Sequence, residues 1–552
     1  MTPGDLAALT GGHLDLVRAP FTLPSSRLLV FRAENGDGVR VHTAEYEKQL
    51  DECRVLDALV IRDAAGTALP ITRVLPHEVE FGGGAATLVF DGIGALSLGA
   101  PEPGWSAEWT TPDGRAHLRA LDPALRFAVS ADRAVTVAAS DAHADAAARS
   151  ARIWQDWFAK CPLVREDLQA MTAFCWWVLG ANIVSLPALQ GARPVVPSKI
   201  GYVGLWQWDA YFIAIGLSHG DPELAREQLD LAFRFPTPAG QLPDVVHEEG
   251  VLASSDDLPA ADRDRLRRAG SAIADPNAPV PLTKPPLSAW ALRRVLEAAP
   301  ATAEIRDWAR RQLATIRRSQ DWWFACSDLD GDGMPEYAHP YSSGLDDSPI
   351  FDGPLPTTAP DLGAYLVLQD LELARFADED EDLDAGIHRD RAARTLGKLL
   401  DLWDADRGVF LARAAGEPVA SDAITGLMPL LTGALPEPVV DALVAAMDDP
   451  QRYGTPWGLP TVAASDPDFS ATRMWRGPVW INTNTLVAEG LENSGHPDRA
   501  RELRERTVAL VIHGGGPHEY FNPLTGQKAP TATTAFGWSA ALFVDLAVRL
   551  SR

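Results

Sequence analysis

The feature that most constrains the fold of this chain is a change in the spacing of its apolar residues near residue 141. Before this point, short β-rich runs are separated by glycine, proline and aspartate, and they lie at 28–32, 58–62, 86–90, 127–129 and 135–138. Beyond it, apolar residues recur at helical spacing in one segment after another. The chain is therefore predicted to contain an all-β region followed by a helical one.

The helical region is interrupted by unusually long loops at 198–207, 236–284, 327–358 and 449–479. Long loops within a compact domain are usually functional. Paired helices that alternate with such loops are typical of an (α/α)6 toroid, in which inner helices surround a pocket and the loops form its rim. We predict an antiparallel β-sandwich at 1–140, a linker helix at 141–163 and the (α/α)6 toroid at 164–552.

Charge and cysteine content limit the expected partners and location. The net charge is −26, which argues against nucleic acid and anionic membrane surfaces as partners, since both require basic patches. There is no apolar run of about 20 residues to predict a membrane span, and the N-terminus does not resemble a signal peptide. The four cysteines are scattered, which favours a reducing compartment. The expectation is a cytoplasmic protein.

Tryptophans are concentrated in the helical region. Of 17 tryptophans, 15 follow residue 150, and several stand in or beside the long loops, including Trp206, Trp208, Trp475 and Trp480. Flat aromatic rings stack on the apolar faces of sugar rings, while aimed polar groups bind the hydroxyls. The alternative is that these rings fill the core of a large helical domain.

Asp209 and Glu519 are isolated carboxylates in aromatic surroundings, in the motifs WQWDAYF and HEYFNPLTG. Loss of hydration raises the pKa of a carboxyl group, as a general acid near neutral pH requires. Inverting glycoside hydrolysis needs two carboxyl groups about 6.5–9.5 Å apart, and a closed toroid can bring distant segments together. The alternatives are a helix N-cap for Asp209 and a solvated loop position for Glu519.

Two further motifs predict polar contacts with a ligand. WRGPVWINTN carries Arg476, a rigid donor fork, between Trp475 and Trp480, although the motif also fits the start of a helix. In GLDDSP, Asp346 is a candidate for binding hydroxyls and a rival for the general base. Three weaker candidates, which loop packing explains about equally well, are Gln241, Asp244 and Lys284.

The run DLDGDGMPE predicts a cation site. Asp328, Asp330 and Asp332 alternate, a glycine permits a sharp turn, and Glu336 closes the run. Hard oxygen ligands at this spacing suit Ca²⁺, as in the first half of an EF-hand loop, although the full twelve-residue loop is missing. The alternative is an acidic turn. The prediction is a structural Ca²⁺ ion, with no cofactor for the chemistry.

As a set, the motifs resemble glycoside hydrolase family 63. The series runs in the family's order over about residues 160–550, and it consists of WQWDAYF, GQLPDVVH, KPPLSAW, DLDGDGMPEY, GLDDSP, GLPT, MWRGPVWINTN and HEYFNPLTG. The resemblance is to the branch of bacterial α-glucosidases and of mannosylglycerate and glucosylglycerate hydrolases. It extends more distantly to trehalases and to the glucosidase part of glycogen-debranching enzymes.

The resemblance implies an (α/α)6 toroid and an inverting mechanism, with Asp209 as general acid and Glu519 as general base. It also implies a calcium site on the DLDGDGMPE run. The positions that match the sugar pocket of the family are Trp206, Gln207, Trp208, Asp346, Arg476 and Trp480. The motifs themselves add three candidate substrate contacts, Tyr211, Gln241 and Trp475.

The predicted function is exo-acting, inverting hydrolysis of a small-molecule or oligosaccharide α-glucoside, of the α-glucosidase or the glucosylglycerate type. Trehalase or debranching-type glucosidase activity is the nearer alternative. A sugar epimerase or lyase toroid and a glycan-binding protein are more distant alternatives. The small glycerate-glycoside hydrolases of the family lack the N-terminal β domain predicted here, so the resemblance does not fix the substrate.

Overall fold

The computed structural model describes residues 1–34, 36, 38–101, 103–268, 278–379 and 384–552. The chain forms two compact units, of which the first comprises 1–204, 533–540 and 551, and the second comprises 205–532, 541–550 and 552. Residues 269–277, which fall in the predicted loop 236–284, lie outside the described part of the chain. The domain boundaries predicted at 140/141 and 163/164 stay predictions.

The first unit contains two antiparallel sheets. Their strands are β1 (Leu28–Arg32), β2 (Val39–Thr43), β3 (Arg54–Arg62), β4 (Ile71–Val74), β5 (Glu78–Phe81), β6 (Ala86–Phe90), β7 (Ala95–Gly99), β8 (Ser106–Thr110), β9 (Ala116–Ala120), β10 (Ala124–Val129) and β11 (Val135–Ser140). The five-stranded sheet has the order β1-β2-β3-β8-β9, and the six-stranded sheet has the order β11-β10-β7-β6-β5-β4. The helices of this unit are α1 (Pro3–Thr10), α2 (His143–Phe158) and α3 (Glu166–Ala181).

The two sheets share one core. β8 buries alternate residues, as expected of a strand with one face toward a core, whereas β7 is buried throughout. Trp109 of β8 contacts Phe127 of β10 with 5.3 Å between ring centroids, so side chains of the two sheets meet. The predicted antiparallel β architecture is confirmed.

The second unit contains most of the remaining helices. They are α4 (Gln207–Leu217), α5 (Pro222–Ala232), α6 (Ala260–Arg268), α7 (Ser288–Glu297), α8 (Ala303–Cys326), α9 (Pro360–Asp378), α10 (Ala385–Leu400), α11 (Glu437–Asp448), α12 (Ile481–Asn493) and α13 (Pro497–Gly514), and α14 (Gly537–Leu550) follows near the end of the chain. Short strands lie between them: β12 (Leu205–Trp206), β13 (Val245–His247), β14 (Gly250–Leu252), β15 (Thr357–Thr358), β16 (Trp403–Asp404), β17 (Val409–Phe410), β18 (Arg413–Ala414) and β19 (Glu417–Pro418). Across the described residues, the helices are too short or too polar to cross a membrane.

Helices buried on nearly all sides alternate along the chain with helices buried on one face. All 11 residues of α4 are buried, as are 15 of the 19 in α9 and 11 of the 13 in α12. The helices that follow them bury 6 of 11 residues in α5, 4 of 16 in α10 and 8 of 18 in α13. One helix of each pair is therefore internal and the other external, as the predicted toroid requires.

A buried network of ion pairs joins helices that are distant in sequence. Arg294 of α7 donates two hydrogen bonds to Asp545 of α14, at 2.9 and 3.0 Å, and His219 lies 2.8 Å from the same carboxylate. Glu489 of α12 pairs with Arg294 at 3.2 Å and with Arg549 at 3.0 Å. Burial raises the pKa of Glu489, but Arg294 and Arg549 outweigh it and lower the pKa to about 2. The network ties α7, α12 and α14 together by charge.

Glu489→Gln removes one charge from this network and tests its contribution to stability. Because the pKa is lowered from 4.5, the carboxylate stabilises the folded state above that value, and the stabilisation is lost as the pH falls toward 2. At pH 7 we expect the free energy of unfolding to fall by about 3 kcal/mol, at about 1.4 kcal/mol per pKa unit. Urea titrations at pH 7 and pH 3 should show the difference from the wild type narrowing at pH 3.

The matched control is Glu502→Gln, whose half-exposed carboxylate pairs with Arg499 at 2.7 Å on α13. Exposed pairs contribute about 0–1 kcal/mol. If the free energy of unfolding falls equally little in the two variants, the buried network does not contribute the stability assigned to it.

Candidate active site

The first turn of α4 carries Asp209 at its third position. β12 pairs with β13, and the Gln207 N–H donates to the Asp244 carbonyl at 3.0 Å, which fixes the chain where the helix begins. Trp206 occupies the N-cap position, and its side chain makes no capping hydrogen bond. Asp209 lies inside the helix, so the N-cap alternative for this residue is wrong.

Asp209 is buried among charged groups. Only 4% of Asp209 is exposed to solvent. Burial raises the pKa of Asp209 well above its ordinary value of 3.8; the Lys284 ammonium opposes this, and the carboxylates of Asp244 and Glu519 raise the pKa further. A carboxyl group with a raised pKa stays protonated toward neutral pH and is suited to donate a proton.

Glu519 lies on a loop segment that is pinned to the segment before α12. Val479 and Phe521 exchange two backbone hydrogen bonds, at 2.8 and 2.9 Å, and form an antiparallel bridge. Glu519 itself is 3% exposed, so the alternative of a solvated loop glutamate is wrong. Because its charge acts on Asp209, the two carboxyl groups predicted to act together lie in one site despite the long sequence between them.

Lys284 and Asp244 form a buried ion pair beside Asp209. The Lys284 Nζ lies 2.9 Å from an Asp244 carboxylate oxygen, and both side chains are at most 5% exposed. Lys284 Nζ also donates to the Tyr341 carbonyl at 2.6 Å, and the Lys284 N–H donates to Gln207 Oε1 at 3.0 Å. From the sequence these two residues were weaker candidates, and the ion pair between them was not predicted. What pointed to them was that both lie in motifs of the series.

An aromatic wall stands next to Glu519. Trp475 and Trp480 stack face to face with 3.6 Å between ring centroids, and Trp480 stacks on Tyr520 at 4.7 Å. The Trp480 Nε1–H donates to the Met474 carbonyl at 2.8 Å, which fixes the plane of that ring. Trp208 approaches Trp475 at 6.3 Å and 45°. The wall therefore links the motif of Asp209 to the motif of Glu519.

Trp208 is held in place by the backbone at Gly344. This glycine ends the short 3₁₀ helix Pro340–Ser343 with φ at +70°, a left-handed conformation that favours glycine. A Cβ at position 344 would lie 2.2 Å from the Trp208 ring. The loop that bears Asp346 thus packs directly on Trp208, and the Asp346 carboxylate lies near enough to Lys284 to raise the pKa of that ammonium.

Arg476 is committed to aspartate partners that the sequence did not reveal. Its guanidinium donates to both carboxylate oxygens of Asp352, one of them at 2.9 Å, and lies 3.5 Å from Asp468. Asp347 accepts a hydrogen bond from the Trp475 N–H at 2.9 Å, which ties the same loop to the aromatic wall. Asp352 was missed because nothing in the local sequence distinguishes it from other loop aspartates.

Two predicted substrate contacts lie within the protein interior. Gln241 donates through Nε2 to the carbonyls of Ala253 and Leu282, at 2.9 and 2.8 Å, and so braces the loop. Tyr211 is fully buried in α4, with its ring 5.8 Å from that of Phe233. By contrast, Trp206 is only half-buried at the start of α4. The roles predicted for all three residues stay predictions.

The acidic run forms a separate cluster. Ligand atoms of Asp328, Asp330 and Asp332 lie within 4.8 Å of one another. Glu336 accepts a hydrogen bond from the Leu329 N–H at 3.0 Å. Burial raises the pKa of Glu336 to about 7, and the three aspartates add to this. Three of the four predicted ligands therefore share one small volume, and Glu336 lies near enough for the charges of the three aspartates to raise its pKa.

Comparison with solved structures identifies the fold. A bacterial glucoamylase complexed with acarbose matches with a TM-score of 0.57 at 12% identity, over 97% of this chain and 94% of that one, a likeness that shows the fold alone. A family 63 mannosylglycerate hydrolase of Thermus thermophilus, in complex with Tris and D-glycerate, matches with a TM-score of 0.57 at 27% identity, over 67% of this chain and 98% of that one. The predicted (α/α)6 toroid preceded by an antiparallel β domain is confirmed.

Sequence relatives identify the class and then the family. A mannosylglycerate hydrolase from another strain of Thermus thermophilus is 30% identical over 410 residues, which make up 63% of this chain and 95% of that protein. A glucosylglycerate hydrolase of Mycolicibacterium hassiacum is 27% identical over 419 residues, 62% of this chain and 92% of that protein. The protein is a glycoside hydrolase. It belongs to the family of the mannosylglycerate hydrolase MGH1-like glycoside hydrolase domain, whose model matches residues 202–539.

Gly344→Ala tests whether the position of Trp208 matters for hydrolysis. The new Cβ would displace the ring, and displacement of a positioning group by about 1 Å can cost on the order of 100-fold in rate. We expect kcat/KM for glycoside hydrolysis to fall by at least about tenfold.

Gly416→Ala is the control, because Gly416 has φ at +80° but no atom within 4 Å of an added Cβ. Backbone strain should cost each variant about 1 kcal/mol of stability. Gly344→Ala should lose more, because its Cβ overlaps the buried Trp208 ring, and only Gly344→Ala should lose activity. Full activity in Gly344→Ala would show that hydrolysis does not depend on the Trp208 ring.

Proposed function

We propose that this enzyme is an exo-acting, inverting hydrolase of small α-glucosides, with a small hydroxy acid such as glycerate as the group released. The observation that carries the proposal is the pair of buried carboxyl groups, Asp209 and Glu519, which act on each other electrostatically beside an aromatic wall. Inverting glycoside hydrolases use two carboxyl groups in this way. The support for a small glycoside comes from relatives named for mannosylglycerate and glucosylglycerate.

The raised pKa of Asp209 supports the acid role that we propose for this residue. Protonated Asp209 donates its proton to the glycosidic oxygen as the bond to the anomeric carbon breaks. Glu519 accepts a proton from a water molecule, whose oxygen bonds to the anomeric carbon from the opposite face. After one turnover Asp209 is ionised and Glu519 is protonated, and exchange with solvent restores both groups.

The rings of Trp475, Trp480 and Tyr520 stack in series and are each at most 3% exposed, so we propose that they form the apolar boundary of the sugar site. Trp208 extends this surface toward the acid. The proposed preference for glucose over mannose follows the sequence-based prediction. Trehalose and oligosaccharide substrates are the alternatives that a substrate panel separates. We further propose that the enzyme works in the cytoplasm, because all four cysteines are free.

Asp209→Asn and Glu519→Gln should each lower kcat by about 10²–10⁴-fold, the range of general acid–base catalysis. Asp346→Asn separates the rival base from the proposed one, and it should retain far more activity than Glu519→Gln. The assay is proton NMR of the products from glucosylglycerate, mannosylglycerate, trehalose and maltose.

The β-anomer of the released sugar should appear first, since inversion converts an α-glycoside to a β-product. Initial release of the α-anomer would overturn the inverting mechanism. Near-full activity in Glu519→Gln, with loss of activity in Asp346→Asn, would move the base role to Asp346.

We propose that the cluster of Asp328, Asp330, Asp332 and Glu336 binds a structural Ca²⁺ ion. Asp328 Oδ1 is buried and accepts no hydrogen bond from the described residues, which leaves a carboxylate oxygen available to a cation. The donor set consists of hard carboxylate oxygens, which Ca²⁺ prefers. Bound Ca²⁺ would neutralise the repulsion among the four acidic groups.

Adding Ca²⁺ to chelator-treated protein should raise its thermal midpoint. At about 100 times the dissociation constant, the gain in stability is about 2.7 kcal/mol. Asp330→Asn combined with Asp332→Asn should abolish the response. Asp404→Asn is the control, because Asp404 accepts turn hydrogen bonds from Asp406 and Arg407 at 3.0 and 2.9 Å in another acidic loop. A midpoint that does not change with millimolar Ca²⁺ would contradict the proposal.

A further inference from the structure

We propose that Lys284 is a positioning residue of the reaction: paired with Asp244, it fixes the start of α4 and supplies the positive charge that faces the general acid. This role rests on the proposed function of Asp209 as the acid. Lys284 need not touch the substrate for the role to hold.

The geometry couples the ion pair to the helix that carries the acid. The backbone of each partner binds the first residue of α4, since the Lys284 N–H donates to Gln207 Oε1 and the Asp244 carbonyl accepts from the Gln207 N–H, both at 3.0 Å. The side chains of the same two residues meet at 2.9 Å. Asp209 lies two residues further along this turn, so a shift of either partner would move it.

Lys284 also anchors the loop that packs on Trp208. Its ammonium donates to the Tyr341 carbonyl at 2.6 Å, at the start of the 3₁₀ helix that ends at Gly344. One cation therefore contacts two of the segments that build the site, and its backbone contacts a third. A neutral side chain of the same length would keep the packing and lose both the ion pair and this hydrogen bond.

The charges around the acid balance each other. Lys284 faces the carboxyl groups of Asp244, Asp346 and Asp209, and Asp209 faces Lys284, Asp244 and Glu519. Burial lowers the pKa of Lys284, but the surrounding carboxylates outweigh it and raise the pKa, so the ammonium stays charged. Interactions between buried charges are strong because they are poorly screened.

A cation in this place keeps the acid useful. Burial and two carboxylates alone would make Asp209 so weak an acid that it would release its proton reluctantly. The Lys284 ammonium lowers the pKa of Asp209, and the Asp244 carboxylate raises it and so partly offsets the effect of the lysine. One partner of the ion pair therefore lowers the pKa of the acid and the other raises it. A pair with a purely structural role would leave that pKa unchanged.

The test is the pH dependence of kcat/KM with glucosylglycerate, or with mannosylglycerate if it is hydrolysed faster. Activity falls at high pH as Asp209 loses its proton. Lys284→Met removes the opposing cation and should move this alkaline limb to higher pH by on the order of one unit. Asp244→Asn removes a carboxylate that raises the pKa of Asp209 and leaves the Lys284 cation in place, so it should move the same limb to lower pH.

Opposite shifts from the two partners of one ion pair are the signature of the proposal. Lys284→Arg, which keeps the charge, should restore the wild-type limb even if kcat falls. Lys48→Met is the control, because Lys48 pairs with Glu45 on the surface of the first unit, and its profile should match the wild type.

A further variant and a spectroscopic measurement keep the test decisive if a single variant fails to fold or loses all activity. Breaking a buried pair leaves a lone charge that can prevent folding. The double variant Asp244→Asn with Lys284→Met removes both charges and should place the limb between those of the two single variants. Infrared difference spectra follow the protonated carboxyl band of Asp209 directly, with Asp209→Asn to assign it.

Shifts in the same direction, or no shift in either single variant, would overturn the role of Lys284. Full activity in Asp209→Asn would instead overturn the proposed function, so the two failures are distinguishable.

Discussion

The buried ion-pair network of α7, α12 and α14 is the interaction on which the second unit depends. Each partner is too polar to be buried alone, and each becomes tolerable only because the others are present. Arg294 satisfies Asp545 and Glu489 at once, and His219, just after α4, joins the same carboxylate. The network therefore brings early and late parts of the chain together, and the site needs this closure because its two carboxyl groups come from α4 and from the loop after α13.

Partners, more than burial, decide what each buried carboxyl group does. Asp545 and Asp209 are both enclosed by the protein. Burial raises the pKa of both groups, but Arg294 and His219 hold the pKa of Asp545 well below its ordinary value, whereas Lys284 only moderates the rise at Asp209. The same residue type is thus held as an anion in the helical framework and kept toward its protonated form in the site, as the acid role proposed for Asp209 requires.

Much of the fold and the outline of the site were predictable from the sequence because both depend on local patterns. The change of apolar spacing near residue 141 separates strands from helices, and aromatic residues around Asp209 and Glu519 predicted their burial. The pairing of Arg476 with Asp352 and the contacts of Lys284 were not predictable, since they depend on which loops meet in space. Gln241 resembles a sugar ligand in sequence, but its amide bonds carbonyls that only the folded loop supplies.

The bridge between Val479 and Phe521 has a consequence for how such an enzyme can diversify. It joins the segment of Trp480 to the segment of Glu519, and Tyr520 of the second segment stacks on Trp480 of the first. Under the proposed mechanism, a sugar bound against these joined segments keeps its distance from Glu519 when other loops change. Under the same mechanism, changes in loops outside this segment pair can then alter the side of the leaving group without moving the base or the attacking water. Selection for a new leaving group is thereby separated from selection on the base, whereas the acid stays coupled to the loops of Asp244 and Lys284.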